Sequence, residues 1–119
     1  MREIKFRAWL YPYKRMIYEF NLLQKQGGFH LWLPGEEYLP GSFELMEYTG
    51  LHDKNDKEIY EGDILRFDLS EMGYIELGFI EFVDSGFWMK SPNGQIHLPT
   101  QERREVIGNI YENPMEANV

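Results

Sequence analysis

Turn-forming residues divide this chain into short segments, and this division constrains the fold more than any other feature. Gly, Pro, Asn and Asp cluster between strand-like runs at roughly eight-to-twelve-residue spacing. Apolar and polar residues alternate within the runs, as in residues 4–9 and 16–20, which is typical of half-buried strands. No segment keeps a helical period over three turns. The sequence therefore predicts a mainly all-β, antiparallel fold.

The two halves of the chain have different expected roles within a single domain spanning residues 1–119. Residues 58–111 hold a series of short strands joined by tight turns, which suits a small antiparallel barrel or sandwich of SH3-like type. Residues 1–57 form a β-rich N-terminal segment that we expect to pack on it. Residues 112–119 are a polar tail that we expect to fray. Residues 43–49 fit either a strand or a helical turn, and we favour the strand.

The charge is unevenly distributed along the sequence. Lys and Arg number 12 against 20 for Asp and Glu, which gives a formal charge of -8. Residues 1–35 contribute +4 to that total and residues 36–119 contribute -12. Either a basic N-terminal hairpin lies against an acidic body within one monomer, or the basic segment of one subunit meets the acidic face of another. Complementary charge of the second kind steers association and sets register.

Composition excludes several classes of protein. The chain has no cysteine, so it holds neither a disulfide scaffold nor a thiolate metal site. No apolar run approaches the ~18 residues of a membrane span, and the N-terminus does not resemble a signal peptide. Aromatic residues make up 16% of the chain, which argues against intrinsic disorder. We expect a cytoplasmic protein that does not contact the membrane.

The sequence predicts no catalytic residue, no cofactor and no metal site. It lacks a nucleophile elbow and a phosphate-binding glycine loop, and its three histidines lie far apart. Residues 52–63 are the densest acidic segment. They resemble a calcium loop only loosely, because the glycine at the sixth position and the closing bidentate Glu of such a loop are not in place. We interpret this segment as a solvated hairpin tip and leave ion binding open. Asp63 is expected to accept backbone hydrogen bonds inside its turn, and Asn55–Asp56 to form a hairpin apex.

Two tryptophans suggest a protein interface. Trp9 and Trp32 lie out of phase with the apolar face of their strands, and in that phase both would be exposed. Large exposed aromatic residues are typical of protein–protein interfaces, although burial on the second face of a covered sheet is the alternative. With Arg7, they form the candidate interface of a homo-oligomer that uses the basic N-terminal segment against the acidic body.

The same basic segment is the only candidate nucleic-acid contact. Its charged residues are interleaved with aromatic ones, a pattern typical of single-strand binding. The candidate contacts are Arg2, Lys5, Arg7, Lys14 and Arg15. A net charge of -8 opposes phosphate binding, so nucleic acid is an unfavoured partner.

Three stretches together carry a family resemblance. They are residues 1–9 (MREIKFRAW), 48–64 (YTGLHDKNDKEIYEGDI) and 106–114 (VIGNIYENP). With these motifs the whole chain resembles the YopX family of bacteriophage and prophage proteins. Family members usually carry Gly where this chain has Asp56, and Asp after the tryptophan where this chain has Leu10.

The resemblance implies an origin in a phage or prophage of a low-GC Gram-positive bacterium, action inside the host cell, and homo-oligomers. It implies no activity, because the family has no assigned biochemical function, and no functional residue is carried over. The motif residues are expected to be structural, with Gly50, Gly62 and Gly108 providing backbone freedom. The isoleucines expected in the core are Ile59, Ile64 and Ile107.

Three classes of function compete at this point. The favoured one is a non-enzymatic, self-associating protein-binding module that contacts host or phage proteins in the host cytoplasm. The alternative is a nucleic-acid-binding protein that uses the basic N-terminal segment. An enzyme is the third class, and no pair of carboxylates in the sequence is placed so that one of them must be buried.

Overall fold

The protein is all-β. A computed structural model describes residues 3–114, of which 60% lie in strands and 5% in short 3₁₀ turns. Every described strand pair is antiparallel, and one sheet curls into a half-barrel. The predicted all-β antiparallel fold is confirmed, whereas the finer comparison with SH3 domains stays a prediction.

The described chain divides into two compact units. The smaller unit comprises residues 6–46, and the larger one combines residues 3–5 with residues 47–114. The smaller unit holds four basic residues (Arg7, Lys14, Arg15, Lys25) and four acidic ones (Glu19, Glu36, Glu37, Glu44). The formal charge of -8 therefore falls entirely on the rest of the chain. The single domain of residues 1–119 and its subdivision at residues 57 and 111 stay predictions, and residues 115–119 of the predicted tail lie outside the described part.

The smaller unit is built from short strands. They are β1 (Phe6–Leu10), β2 (Arg15–Ile17), β3 (Asn21–Lys25), β4 (Gly28–Leu33), β5 (Glu36–Tyr38) and the first residues of β6 (Phe43–His52). Strand β1 lies between β2 and β6, and β3, β4 and β5 form a separate three-stranded sheet. Its core consists of Ala8, Leu10, Leu31 and Tyr38. Residues 43–49 are a strand, as favoured from the sequence.

The larger unit contains the curled sheet. Its strands are the rest of β6, β7 (Glu58–Tyr60), β8 (Asp63–Leu69), β9 (Tyr74–Val83), β10 (Gly86–Ser91), β11 (Gly94–Ile96) and β12 (Arg104–Asn109). Two 3₁₀ turns lie at Ser70–Met72 and Gln101–Arg103. The five-stranded sheet has the order β11-β10-β9-β8-β12, and β6 pairs with β7. Its core is formed by Ile59, Leu65, Ile80 and Met89.

Strand register places one acidic residue on the core-facing side of this sheet. Leu65 pairs with Gly78, and Phe67 pairs with Glu76. Residues directly opposite each other in an antiparallel pair point to the same face. Since Leu65 belongs to the core and Phe67 packs against it, Glu76 also projects from the concave face.

The backbone conformations of the turns account for the residue types in the middle motif, residues 48–64. Asp56, at the expected hairpin apex, has a φ of 65°, and Gly50 and Gly62 also have positive φ, as expected of their role. Asp63 accepts a hydrogen bond from the backbone N–H of Tyr60 at 2.8 Å, which confirms its expected role. Ile59 and Ile64 are fully buried, as predicted.

The structure corrects two expectations for the closing motif, residues 106–114. Ile107 is 41% exposed rather than buried in the core, because the pairing of β12 with β8 shifts register between Val106 and Gly108. At such a bulge the extra residue is left out of the ladder of hydrogen bonds that joins the two strands. Gly108 has no positive φ; instead, a Cβ at this position would clash with Oδ1 of Asn113. Its small size permits this close approach.

Candidate functional site

A cavity of about 240 Å³ opens in the larger unit. Strands β8 and β9 supply most of its wall, and β11 with the residues on either side of it supplies the rest. The lining residues are Phe67, Leu69, Tyr74, Glu76, Asn93, Ile96 and His97. Most of this wall is apolar, with a few convergent polar groups, as is common in ligand sites.

Glu76 is the one acidic side chain in the cavity wall, and it is only 9% exposed. Both of its carboxylate oxygens accept from Nδ2 of Asn93, at 3.0 and 3.3 Å. A second depression of about 250 Å³, lined by Ile75, Leu77 and Pro92, shares the same pair. A buried carboxylate therefore separates two adjacent recesses, with a neutral amide as its only hydrogen-bond donor among the described residues.

The turn that carries Asn93 is locally ordered. The backbone N–H of Asn93 donates to Oγ of Ser91 at 3.1 Å, and this hydroxyl donates to the carbonyl of Gly94 at 3.3 Å. Gly94 has a φ of 102°, a conformation that favours glycine. The Pro92–Asn93–Gly94 sequence thus forms a tight turn that aims the amide back at Glu76.

His97 borders the cavity and is held by an aromatic contact. Its ring lies 4.4 Å from the ring of Trp88, centroid to centroid, at an interplanar angle of 33°. An offset contact of this kind restrains the imidazole without using its nitrogen atoms. Neither ring nitrogen has a hydrogen-bond partner among the described residues.

Exposed apolar side chains occur at the end of the β8–β9 hairpin, where Tyr74 lines the cavity and Ile75 lines the second depression. Met72, in the turn between β8 and β9, is 70% exposed, and Tyr74 and Ile75 are about half-exposed. We call these three residues together with the cavity the hairpin-end surface. Contiguous exposed apolar groups next to a recess are typical of an interaction site, and Met and Tyr are enriched in interfaces.

The sequence contained no clear signal for this surface. In residues 74–77, Glu76 follows Ile75 and precedes Leu77, which gives it the place of a solvent-facing residue in an alternating strand. Only the register with Phe67 places Glu76 on the concave face. No feature of a single sequence specifies that register.

The predicted protein interface is largely buried. Trp9 is 6% exposed and Arg7 is 2% exposed, so the expected exposure of Trp9 is wrong. The cause is burial on both faces of β1, where residues 7–10 are all buried and alternation carries no information. Trp32 is half-buried, and its Nε1 has no hydrogen-bond partner among residues 3–114.

Trp32 belongs to a polar cluster on the three-stranded sheet. Strand register places Trp32 opposite Glu37, whose Oε2 lies 2.7 Å from Nδ1 of His30 and 3.3 Å from Nζ of Lys25. The hydrogen bond with His30, the largest effect, and that with Lys25 lower the pKa of Glu37. The Lys25 ammonium also lies 4.9 Å from the Trp32 ring centroid. The side chains of Lys25, His30 and Glu37 therefore satisfy one another, whereas the indole N–H of Trp32 stays without a hydrogen-bond acceptor among residues 3–114.

Not all of the residues predicted to contact nucleic acid expose a charge that a phosphate group could reach. Arg2 lies outside the described residues, Arg7 is buried, and Lys5 forms an ion pair with Glu58. Lys14 and Arg15 are exposed on the connection between β1 and β2. Of the predicted contacts that the structure describes, only this last pair is open to an anionic partner.

Within the acidic segment at residues 52–63, the tip at residues 54–57 is exposed, as expected, whereas the aspartates that flank it are buried. Asp53 is 1% exposed and Asp63 is 2% exposed. Among residues 3–114, no group of three or more His, Asp or Glu side chains is arranged to hold a metal ion. Nor does any helix in that range have the length and apolar character to cross a membrane.

Comparison with known proteins gives a consistent result. The YopX family model, described as YopX protein, matches residues 5–116. The crystal structure of protein EF1440 from Enterococcus faecalis is 25% identical, with a TM-score of 0.74 over 98% of this chain and 99% of its own. The crystal structure of protein yopX from Bacillus subtilis is 19% identical, with a TM-score of 0.66 over 96% and 97%. Comparison with curated proteins gives no match.

Proposed function

The chain belongs to the YopX family, and we propose that it acts as a non-enzymatic, self-associating protein-binding module. We further propose that it is encoded by a phage or prophage and acts in the cytoplasm of the host cell. The observation that carries the binding role is the hairpin-end surface, where Met72, Tyr74 and Ile75 are exposed at the end of the hairpin whose strands line the cavity.

Exposure of these side chains has a free-energy cost in the isolated chain. Apolar area left in water forgoes about 25 cal/mol per Å² relative to buried area, and contiguous exposed patches are uncommon on monomers. Met and Tyr side chains at the centre of an interface supply much of its affinity. A partner that covers this surface would recover that free energy.

Charge supports a second copy of the chain as the partner. The smaller unit is formally neutral, and its turn between β1 and β2 exposes Tyr13, Lys14 and Arg15. The rest of the chain, including the hairpin-end surface, carries the charge of -8. Opposite charges on the two surfaces favour a head-to-tail contact between copies.

Sedimentation velocity at tens of micromolar tests this proposal. We expect the wild-type chain to associate, and the double variant Met72→Ser, Ile75→Ser to raise the dissociation constant at least about tenfold because the apolar contact is lost. Ile107→Ser is the control, since Ile107 is also an exposed apolar residue but lies on β12, outside both the hairpin-end surface and the turn between β1 and β2. A wild-type chain that stays monomeric in low salt would overturn the proposal.

Nucleic-acid binding is a second candidate because the same turn combines aromatic and basic groups. Tyr13 is strongly exposed beside Lys14 and Arg15, and such groups stack on bases and pair with phosphates. Two phosphate contacts predict a loss of about sevenfold in single-strand affinity between 50 and 200 mM salt. Fluorescence anisotropy with mixed-sequence DNA, with Lys14→Gln, Arg15→Gln for comparison, measures this. Binding of the DNA that neither salt nor the two substitutions weaken would exclude this candidate function.

A further inference from the structure

We propose that the cavity of the hairpin-end surface binds a guanidinium or ammonium group on a short apolar stem, with Glu76 as its counter-ion. We assign the source of that group to Lys14 or Arg15 of a second copy. This assignment of the source rests on the proposed self-association, whereas the chemistry of the cavity stands on Glu76 and its surroundings.

The first argument is the charge of Glu76. Its side chain is 9% exposed, and none of the ion pairs among residues 3–114 involves it. Asn93 supplies hydrogen bonds but no charge. A buried carboxylate without a counter-ion is costly, and its oxygens can accept about four hydrogen bonds in total. A guanidinium, which offers paired donors in a planar fork, supplies both the charge and the missing donors.

The second argument is the rest of the cavity wall. Phe67, Leu69 and Ile96 offer apolar surface, and Tyr74 adds an aromatic ring at the mouth. Lys and Arg bury their methylene stems along such surfaces while the charged head finds a polar partner, and aromatic faces attract cations. The volume of about 240 Å³ is below the 300–1,000 Å³ or so of drug-sized sites and fits a single side chain.

The third argument identifies the source. Several exposed basic groups are already paired, as Lys25 is with Glu37 and Lys54 with Glu105. Lys14 and Arg15 form no ion pair within the described range, and unlike Lys57 and Lys90, which are also exposed and without an ion pair there, they do not belong to the acidic unit that holds the cavity. Lys14 has a φ of 50° in the turn between β1 and β2, and both residues are exposed there. These two cations are thus presented to another molecule.

An NMR titration of the ¹⁵N-labelled full chain tests the chemistry of the cavity. The probes are n-butylguanidinium and its neutral analogue n-butylurea. We expect saturable shifts of the amides of Glu76 and Asn93 with the cation, and at least about tenfold weaker binding of the urea. Glu76→Gln keeps an oxygen for Asn93 and should weaken cation binding at least about tenfold. Equal binding of the cation to wild type and Glu76→Gln would overturn the site.

Glu81→Gln is the matched control. Glu81 lies on the same strand, five residues on and hence on the opposite face, where it accepts from Gln95 at 2.8 Å. The substitution removes the same charge, so it should leave cation affinity unchanged. An equal loss in both variants would mean that net charge alone attracts the probe, and would also overturn the site. Dispersed spectra of each variant verify folding.

Sedimentation then tests the source of the cation. We expect Lys14→Gln, Arg15→Gln and Glu76→Gln each to weaken self-association, and saturating n-butylguanidinium to dissociate wild-type assemblies. If the chain associates but none of these changes affects it, the assignment of the source is wrong and the proposed function stands. If the chain is always monomeric while cation binding depends on Glu76, the proposed function fails and the cavity is a site for a free organic cation.

Discussion

The backbone N–H of Val106 donates to Oδ2 of Asp53 at 2.9 Å, so one buried carboxylate joins the middle and closing motifs of the chain. The other oxygen of Asp53 accepts from the backbone N–H groups of Asn55 and Lys57, at 2.8 and 2.9 Å. Three backbone donors therefore depend on a side chain that is 1% exposed. This arrangement explains why an acidic residue is buried at the end of β6.

Removing that carboxylate should destabilise the fold. We expect Asp53→Ala to lower the free energy of unfolding by roughly 3 kcal/mol, because each buried donor left without an acceptor costs about 1–3 kcal/mol and some will reach water. Urea denaturation measures the change. Glu19→Ala, at an exposed position, should stay within about 0.5 kcal/mol of wild type. A similar loss in both variants would contradict a special role for Asp53.

Acid should destabilise the protein through the same residue. Burial by itself raises the pKa of Asp53, but the hydrogen bonds from Val106, Lys57 and Asn55 outweigh it and hold the pKa below its ordinary value of 3.8. Since the folded-state pKa is depressed, the stabilisation is complete well above pH 4 and is lost as the pH falls through the folded value. Melting temperatures at pH 7, 4 and 3 should fall more steeply for wild type than for Asp53→Asn. Parallel curves would contradict this account.

Asp56 should be replaceable by glycine but not by alanine. Its φ of 65° lies in the left-handed region, which glycine adopts freely, Asp tolerates, and other residues adopt at a cost of roughly 1–2 kcal/mol. We expect Asp56→Gly to stay within about 0.5 kcal/mol of wild type and Asp56→Ala to lose about 1 kcal/mol. Thermal denaturation of the three chains gives the order, and an alanine variant as stable as the glycine variant would refute it.

A methyl group at Gly78 should disturb the curled sheet. A Cβ there would lie 2.6 Å from the carbonyl oxygen of Lys90 and 2.9 Å from Cγ of Met89, so Gly78→Ala should cost about 1–3 kcal/mol through overpacking. At Gly86 the nearest atom, Nε1 of Trp88, would be 3.5 Å away, and Gly86→Ala serves as the control. Chemical denaturation that ranks the two variants equally would contradict the predicted steric cost.

Local features of the chain were predictable because they depend on neighbouring residues. Turn residues such as those at 92–94 mark the ends of strands wherever they occur, and Asp63 satisfies a donor only three residues away. Residues 43–49, which fit either a strand or a helical turn, are part of a strand, the alternative favoured from the sequence. The family motifs could also be recognised, since each is a continuous stretch of sequence. Errors arose where a prediction needed to know which side of a strand is covered.

The sequence by itself determined the all-β class, the turns and the family. Only the tertiary structure decided that both faces of β1 are covered, which buries Trp9, and that a bulge turns Ile107 to solvent. It also decided the strand register that places Glu76 opposite Phe67 and within hydrogen-bond distance of Asn93. The physical reason is that a strand presents two equivalent faces, and a shift of one residue in pairing exchanges them. Burial of a given side chain thus depends on contacts with residues distant in sequence.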